Sequence, residues 1–216
     1  MPVEQGHPRL RAPRTDARRN AERIVEVAYR VFTTEGATVA LEDIAKAAGV
    51  GPATLYRHFS NKDELITAVV RLGFTEQVEP VARHALADEP DGLAGLAATL
   101  TAALRMAAGL RGAILVWKQA APIDADLLPV FFGQLAPILV KAQEQGSIRQ
   151  DICPEDLPRL MSMLLSTIWF DGRSEGWQRY LALLLDALRP GSTAELPRLP
   201  RHTNSDYSRT GGSDSE

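Results

Sequence analysis

The sequence has little of what secreted, zinc-binding or membrane-spanning proteins need. One cysteine, Cys153, among 216 residues excludes an internal disulfide framework and a cysteine-rich zinc site. The N-terminus has no apolar core of signal-peptide length, and no run of about 20 apolar residues is present to span a membrane. We therefore expect a cytoplasmic protein that has no membrane partner.

Motifs for catalysis are also missing. Of four histidines, two (His7 and His202) lie close to the chain ends. The sequence contains no H-E-x-x-H motif, P-loop or nucleophile elbow, and the stretch 49–54 follows no strand pattern, which a dinucleotide-binding loop requires. We expect no enzymatic activity, no metal and no cofactor. Two alternatives remain open at this point. One is a helical adaptor protein, and the other is a small-molecule-metabolising enzyme that lacks these motifs.

Strand patterns are missing too, because apolar and polar residues nowhere alternate over a sustained stretch. Aromatic residues make up only 6% of the chain, whereas alanine and leucine are abundant, which favours helices. We therefore expect an all-α protein. The predicted helices are one from the N-cap Thr15 to Gly36, one over 41–48, one from Pro52, one after the capping residues Ser60 and Asn61 with the apolar stripe Leu65, Val69 and Leu72, and four over roughly 92–110, 124–145, 154–170 and 175–189.

Charge is unevenly distributed along the chain. The first 75 residues hold eleven lysines and arginines and nine acidic residues, whereas the rest holds thirteen and eighteen. A basic head on an acidic body favours an anionic partner for the head. Residues 1–14 predict a flexible basic arm, whose Arg9, Arg11 and Arg14 either enter a DNA minor groove or stay in solvent. Residues 191–216, rich in proline, glycine and serine, predict a disordered tail.

A glycine-containing turn joins two short helical patterns at residues 48–52. Gly49 can take the left-handed conformation that ends a helix, and Pro52 suits the first turn of the next helix. This order is a helix–turn–helix, whose second helix enters the major groove of DNA. Small residues at 51–53 allow close approach to the bases, while polar groups further along the helix reach phosphates. Lys62, in the first turn of the following helix, would suit a bound anion.

The segment 41–66, LEDIAKAAGVGPATLYRHFSNKDELI, resembles the DNA-binding signature of the TetR (tetracycline-repressor) family. The resemblance implies an all-helical homodimer with a helix–turn–helix domain over 15–75, the motif lying at about 40–59, and a body over 76–190 for effector binding and dimerisation. It also implies phosphate contacts from Thr54, Tyr56, His58 and Lys62. The complete predicted DNA-binding set is Gly51, Pro52, Ala53, Thr54, Tyr56, Arg57, His58 and Lys62.

Two positions depart from the family pattern. The family often has serine or threonine at the positions held here by Gly51 and Ala40, where the hydroxyl caps a helix and touches phosphate. Both hydroxyls are missing from this sequence. We expect Thr38 to substitute as the cap of the second helix.

The body supplies candidates for an effector pocket and for a dimer interface. Bulky apolar residues at helical spacing more often belong to a solid core, which is the alternative for each residue of the pocket set. The predicted pocket residues are Leu100, Leu104, Trp117, Phe131, Phe132, Met161, Met163 and Trp169. The predicted dimer stripes are Leu181, Leu184, Leu185 and Leu188 on the last helix and Leu160, Met163, Leu164 and Thr167 on the helix before it. These stripes could instead face their own core.

Cys153 and a pair of aspartates have more modest interpretations. Cys153 is predicted to be an inert thiol, and an oxidation sensor with a lowered pKa is the alternative. Asp124 and Asp126 are predicted to cap a helix rather than to bind a metal. Taken together, the sequence predicts a transcriptional repressor that a lipophilic small molecule releases from a palindromic operator in double-stranded DNA.

Overall fold

The chain folds into helices that pack as a small head and a larger body. A computed structural model describes residues 13–36, 38–114, 127–170, 176–191 and 196–197. All regular structure in these residues is helical, which confirms the all-α prediction. The helices are α1 (Pro13–Thr34), α2 (Leu41–Ala47), α3 (Pro52–His58), α4 (Lys62–Gly73), α5 (Glu79–Ala87), α6 (Gly92–Gly109), α7 (Leu127–Glu144), α8 (Leu157–Phe170) and α9 (Trp177–Ala187). Several predicted features lie outside the described residues, namely Arg9, Arg11, Trp117, Asp124, Asp126 and nearly all of the tail.

The head is built from α1 to α4 around a small apolar core. Ile24, Phe32, Ile44, Leu55 and Leu65, which come from all four helices, are at most 1% exposed. Burial of large apolar side chains from each short helix supplies stability that seven-residue helices lack on their own. The two short helices, α2 and α3, are therefore held by the core rather than by helix propensity.

Two details of the head differ from the sequence prediction. The first helix begins at Pro13, so Thr15 lies inside its first turn instead of at its N-cap, because proline is well suited to a helix start. In α4, Leu72 is only half-buried, whereas Ile66 and Val70 are buried. The buried stripe is wider than predicted because α4 packs against both the head and the body.

The helical path from α4 continues into the body without a break. A π-helical turn, Phe74–Val78, joins α4 to α5, so helix extends from Lys62 to Ala87. The helix over 79–87 was not among those predicted from the sequence. Pro80 lacks a backbone N–H and would interrupt an ordinary helical ladder, and the wider π turn immediately before α5 accommodates this change.

The body packs α6 between α5 and α7, with α8 and α9 alongside. By length and mean apolarity alone α6 is one helix that could cross a membrane, but 56% of it is buried inside the fold. Close packing fixes Gly92 at its start, because a Cβ atom there would lie 2.6 Å from the backbone of Ala142. These contacts are typical of a central core helix.

Candidate nucleic-acid interface and effector cavity

The turn between α2 and α3 has the predicted geometry. Gly49 has a φ of +66°, the left-handed conformation that glycine adopts without a steric penalty. Val50 packs against the core from a half-buried position. Gly51 is the N-cap of α3 and Pro52 occupies its first turn. The local sequence therefore ends α2, reverses direction and starts α3 within a few residues.

The two faces of α3 have different roles. Leu55 is fully buried and Phe59, its C-cap, is 9% exposed, so these residues fix the helix to the head as predicted. The opposite face is open to solvent. Of the predicted DNA-binding residues, Gly51, Pro52, Ala53, Tyr56 and Arg57 are exposed, while Thr54, His58 and Lys62 are half-buried.

Tyr56 makes a contact that the sequence analysis did not foresee. Its hydroxyl donates a hydrogen bond to Oε1 of Glu42, in the first turn of α2, over 2.8 Å. This contact raises the pKa of Tyr56. The pKa of Glu42 is lowered, first by a hydrogen bond from its own backbone N–H and then by Tyr56. A tyrosine–carboxylate pair thus lies beside the exposed face of α3.

Lys62 is also held by a neighbour. Its Nζ donates to the carbonyl oxygen of Val39 over 2.6 Å, and partial burial lowers its pKa. The ammonium group has three protons, so this bond leaves donors for an anion. Lys62 therefore connects the start of α4 to the segment that precedes α2.

The helices of the head differ in whether a side chain caps their N-termini. Within the described residues, no side chain caps the N-terminus of α2 or α3, so the prediction that Thr38 caps α2 is wrong. At α4, by contrast, Asn61 accepts from the backbone N–H of Glu64, and Glu64 accepts in return from the backbone N–H of Ser60. The predicted capping signal of α4 is confirmed.

A cavity of about 110 Å³ lies in the body, beside the junction with the head. Each described lining residue is apolar or aromatic. They are Val70, Phe74, Ala103, Met106, Ala107, Ile114, Leu127, Leu128, Phe131, Met161, Leu165 and Trp169. A cavity of similar size and lining can accept a small apolar ring, although drug-sized ligands need about 300 Å³ or more.

The cavity contains three of the predicted pocket residues, Phe131, Met161 and Trp169. Leu100 and Leu104 are buried in the core instead, and Phe132 is a half-buried neighbour of Phe131. Met163 is 65% exposed, because it lies on the other face of α8. Spacing along one helix marks apolar residues but does not distinguish the lining of a cavity from packed core.

Val70 and Phe74, which belong to α4 and the π turn, also line the cavity but were not among the predicted pocket residues. Their apolar character was visible, but only the bend of the chain from head to body brings them to the cavity. Gly73 lies between them, and a Cβ atom there would lie 3.0 Å from Tyr29 of α1 and 3.1 Å from Met106 of α6. The cavity is therefore in close contact with the head through this glycine.

An apolar groove lies on the outer faces of α8 and α9. Met163 is 65%, Leu183 55% and Tyr180 46% exposed. The groove residues are Leu160, Met163, Leu164, Thr167, Tyr180, Leu183 and Leu184. This set includes five of the eight predicted dimer residues. Leu181 and Leu188 are buried in their own core, so that part of the predicted stripe is wrong: the helix phase directs them inward.

Cys153 and the acidic residues show little sign of a reactive centre. The thiol of Cys153 donates to Oδ2 of Asp156 over 3.1 Å, and this contact raises its pKa. A raised pKa favours the inert thiol over the oxidation sensor. In the part of the chain that the structure describes, no group of three metal-ligating side chains is found.

The sequence of the head and the fold of the chain are both similar to those of TetR-family regulators. Residues 24–69 match the sequence model of "Bacterial regulatory proteins, tetR family". An HTH-type transcriptional regulator of Staphylococcus aureus is 42% identical over 59 residues, which cover 27% of this chain and 32% of the relative. The chain thus matches about a third of the length of such relatives.

Similarity to solved structures extends over most of the chain. A TetR transcription regulatory protein from Mycobacterium vanbaalenii is 28% identical, with 82% of this chain and 99% of the other covered and a TM-score of 0.54. A TetR transcriptional regulator from Streptomyces coelicolor is also 28% identical, with 80% and 99% covered and a TM-score of 0.57. Both share the arrangement of head and body described above.

Proposed function

We propose that this chain, which belongs to the TetR family of bacterial regulatory proteins by its N-terminal sequence and its fold, binds duplex DNA through α3 and represses transcription. One observation carries the proposal. The helix α3 is anchored by Leu55 and Phe59, and its N-terminal end exposes only small residues at 51–53. Such an end can approach base edges closely, and the surrounding polar side chains then reach the backbone.

We further propose that the chain forms a two-fold dimer, which determines the kind of DNA sequence that α3 binds. The groove on α8 and α9 exposes Met163, Tyr180 and Leu183 side by side, which supports pairing with a second copy. A dimer presents two copies of α3 to DNA, so its operator is an inverted repeat with half-sites about one helical turn, ~34–36 Å, apart. Because its target is DNA, the protein acts in the cytoplasm.

The apolar cavity gives the repressor a site for control. Its lining favours a small neutral apolar compound, because a charged guest would lose its hydration without gaining a partner. Val70 and Phe74 link the cavity wall to α4 and hence to the head. A guest that fits one head arrangement better than the other lowers operator affinity, by a coupling of about 1–3 kcal/mol.

A charge placed on α3 tests DNA binding directly. Ala53→Glu adds a negative charge at an exposed position of α3, and Ala98→Glu adds the same charge at an exposed position of α6 in the body. Fluorescence anisotropy with a mixed-sequence duplex should show that the unchanged protein binds more weakly as salt rises. Ala53→Glu should weaken binding at least about tenfold, whereas Ala98→Glu should not. Equal effects of the two changes would refute α3 as the DNA-binding element.

A further inference from the structure

Glu42 lies beside the proposed DNA-binding face although its charge is the same as that of DNA. It belongs to the first turn of α2 and is exposed, as is its neighbour Asp43. The hydroxyl of Tyr56, on α3, donates a hydrogen bond to Oε1 of Glu42 over 2.8 Å. Tyr56 is itself 45% exposed, so the pair is open to a partner from solvent.

The local structure of α2 keeps Glu42 in this place. Ala40 offers no hydroxyl to the N-terminus of α2, so Glu42 lies in a first turn that no N-cap side chain occupies. A negative group is also favoured near the first turn of a helix. The carboxylate is therefore fixed by the helix end and by Tyr56 together.

The chemistry of the hydroxyl makes this pair a competitor of DNA. A tyrosine hydroxyl has a single proton and can donate it to one acceptor at a time. A phosphate that takes this proton must displace Glu42, and it must approach an ionised carboxylate to do so. Both effects oppose binding, and neither depends on the base sequence.

We propose that Glu42 limits the affinity of the head for DNA by holding the hydroxyl proton of Tyr56 in the free protein. This inference rests on the proposed function, since it assumes that α3 faces DNA. Glu42 weakens binding to operator and to unrelated duplex alike. It is a positioning residue that acts through Tyr56, and its removal tightens binding.

The test compares matched neutral variants of the full chain. Glu42→Gln removes the charge next to Tyr56, and Asp43→Asn removes a charge from the adjacent exposed residue, which does not accept the Tyr56 proton. We expect Glu42→Gln to lower the Kd for a mixed-sequence duplex about five- to tenfold, and Asp43→Asn to lower it only about twofold. In a Tyr56→Phe background the gain from Glu42→Gln should fall to that of Asp43→Asn.

Several results would overturn the inference. One is that Glu42→Gln binds DNA no tighter than Asp43→Asn. Another is that the gain from Glu42→Gln persists in full in the Tyr56→Phe background, because charge alone would then be the cause. Titration of the Tyr56 phenol tests the hydrogen bond to Glu42 independently of DNA. The pKa of Tyr56 should fall in Glu42→Gln, and an unchanged pKa would refute the hydrogen bond. If the unchanged protein binds no duplex while this titration still shows the pair, the proposed function fails and takes the affinity effect with it.

Discussion

Single side chains around the turn of the head connect elements that are distant in the sequence. Tyr56 bonds to Glu42, which links α3 to α2, and Lys62 bonds to Val39, which links the start of α4 to the segment that precedes α2. The Lys62 bond holds the ammonium group near a fixed position and leaves donors for a phosphate, so it reduces the conformational entropy that would be lost on binding. The Tyr56 bond has the opposite effect, because it occupies the hydroxyl proton that a phosphate would need.

Lys62 should act as a phosphate contact that does not depend on sequence. Lys62→Met keeps the apolar stem but removes the charge, so it should weaken binding to operator and unrelated duplex equally. The slope of log K against log salt should fall by about one per head. Arg105→Met, at an exposed position of α6, is the control and should leave the slope unchanged. A changed base preference with an unchanged slope would mean that Lys62 contacts bases.

Asp151 gives a prediction about stability and pH. Two hydrogen bonds from the Arg149 guanidinium, 2.5 and 2.7 Å long, lower the pKa of Asp151 from 3.8 to about 2. Because the folded pKa is the lower one, the stabilising effect is complete above the unfolded pKa and is lost as pH falls toward the folded pKa.

Urea unfolding of Asp151→Asn checks this sign. The variant should unfold at lower urea than the unchanged protein at pH 6, and the difference should shrink by roughly half by pH 3. Asp186→Asn, an exposed residue of α9, serves as the control. A difference that stays constant from pH 6 to pH 3 would show that the ion pair is not its source.

At the scale of the elements, the sequence predicted what local rules decide. Gly49, Pro52 and Asn61 are strong local signals, and the turn and caps that they predicted are confirmed. The π turn at Phe74–Val78 was not predictable in this way, because Pro80 interrupts the pattern and only packing between head and body shows that the helix continues. Helix existence follows from local sequence, whereas continuity across a proline depends on tertiary contacts.

In the candidate site too, local sequence predicted some features, whereas others depend on tertiary contacts. The exposed face of α3 followed from the positions of Leu55 and Phe59, because a helix with two anchors has one outer face. The partners of Tyr56 and Lys62 did not follow, because each lies on another element. In the body, helical spacing identified apolar residues, but three-dimensional packing separated cavity from core at Phe131 and Leu104.

Filling the cavity should separate an effector site from a packing defect. Ala103 is 9% exposed and lines the cavity, so Ala103→Phe places a ring inside it. Ala98→Phe, at an exposed position of the same helix, is the control. A thermal-shift screen of small apolar compounds should find ligands that raise the Tm of the unchanged protein and release DNA.

The same compounds should have no effect on Ala103→Phe and a full effect on Ala98→Phe. If no compound both raises the Tm and releases DNA, and Ala103→Phe simply lowers the Tm by overpacking, then the cavity is not an effector site.

At the scale of the whole molecule, the proposed binding of two heads to one operator depends on pairing through the groove of α8 and α9. Leu183→Arg places a charge in this groove, where Leu183 is 55% exposed. The variant should sediment as a folded monomer and bind an inverted repeat at least about tenfold more weakly, since one head would bind without the other. Leu86→Arg changes another exposed leucine, on α5, and should remain dimeric. A dimeric Leu183→Arg protein would place the interface elsewhere.

Selection from a random duplex pool shows whether two copies of α3 read a symmetric DNA sequence. The full chain is mixed with the pool, bound duplexes are recovered through several rounds, and the enriched sequences are read. We expect enrichment of an inverted repeat whose half-site centres are about 10 base pairs apart or a multiple of this spacing, and no such enrichment with Ala53→Glu. Enrichment of no sequence, or of one asymmetric site that Ala53→Glu also selects, would show that α3 does not read DNA as a symmetric pair.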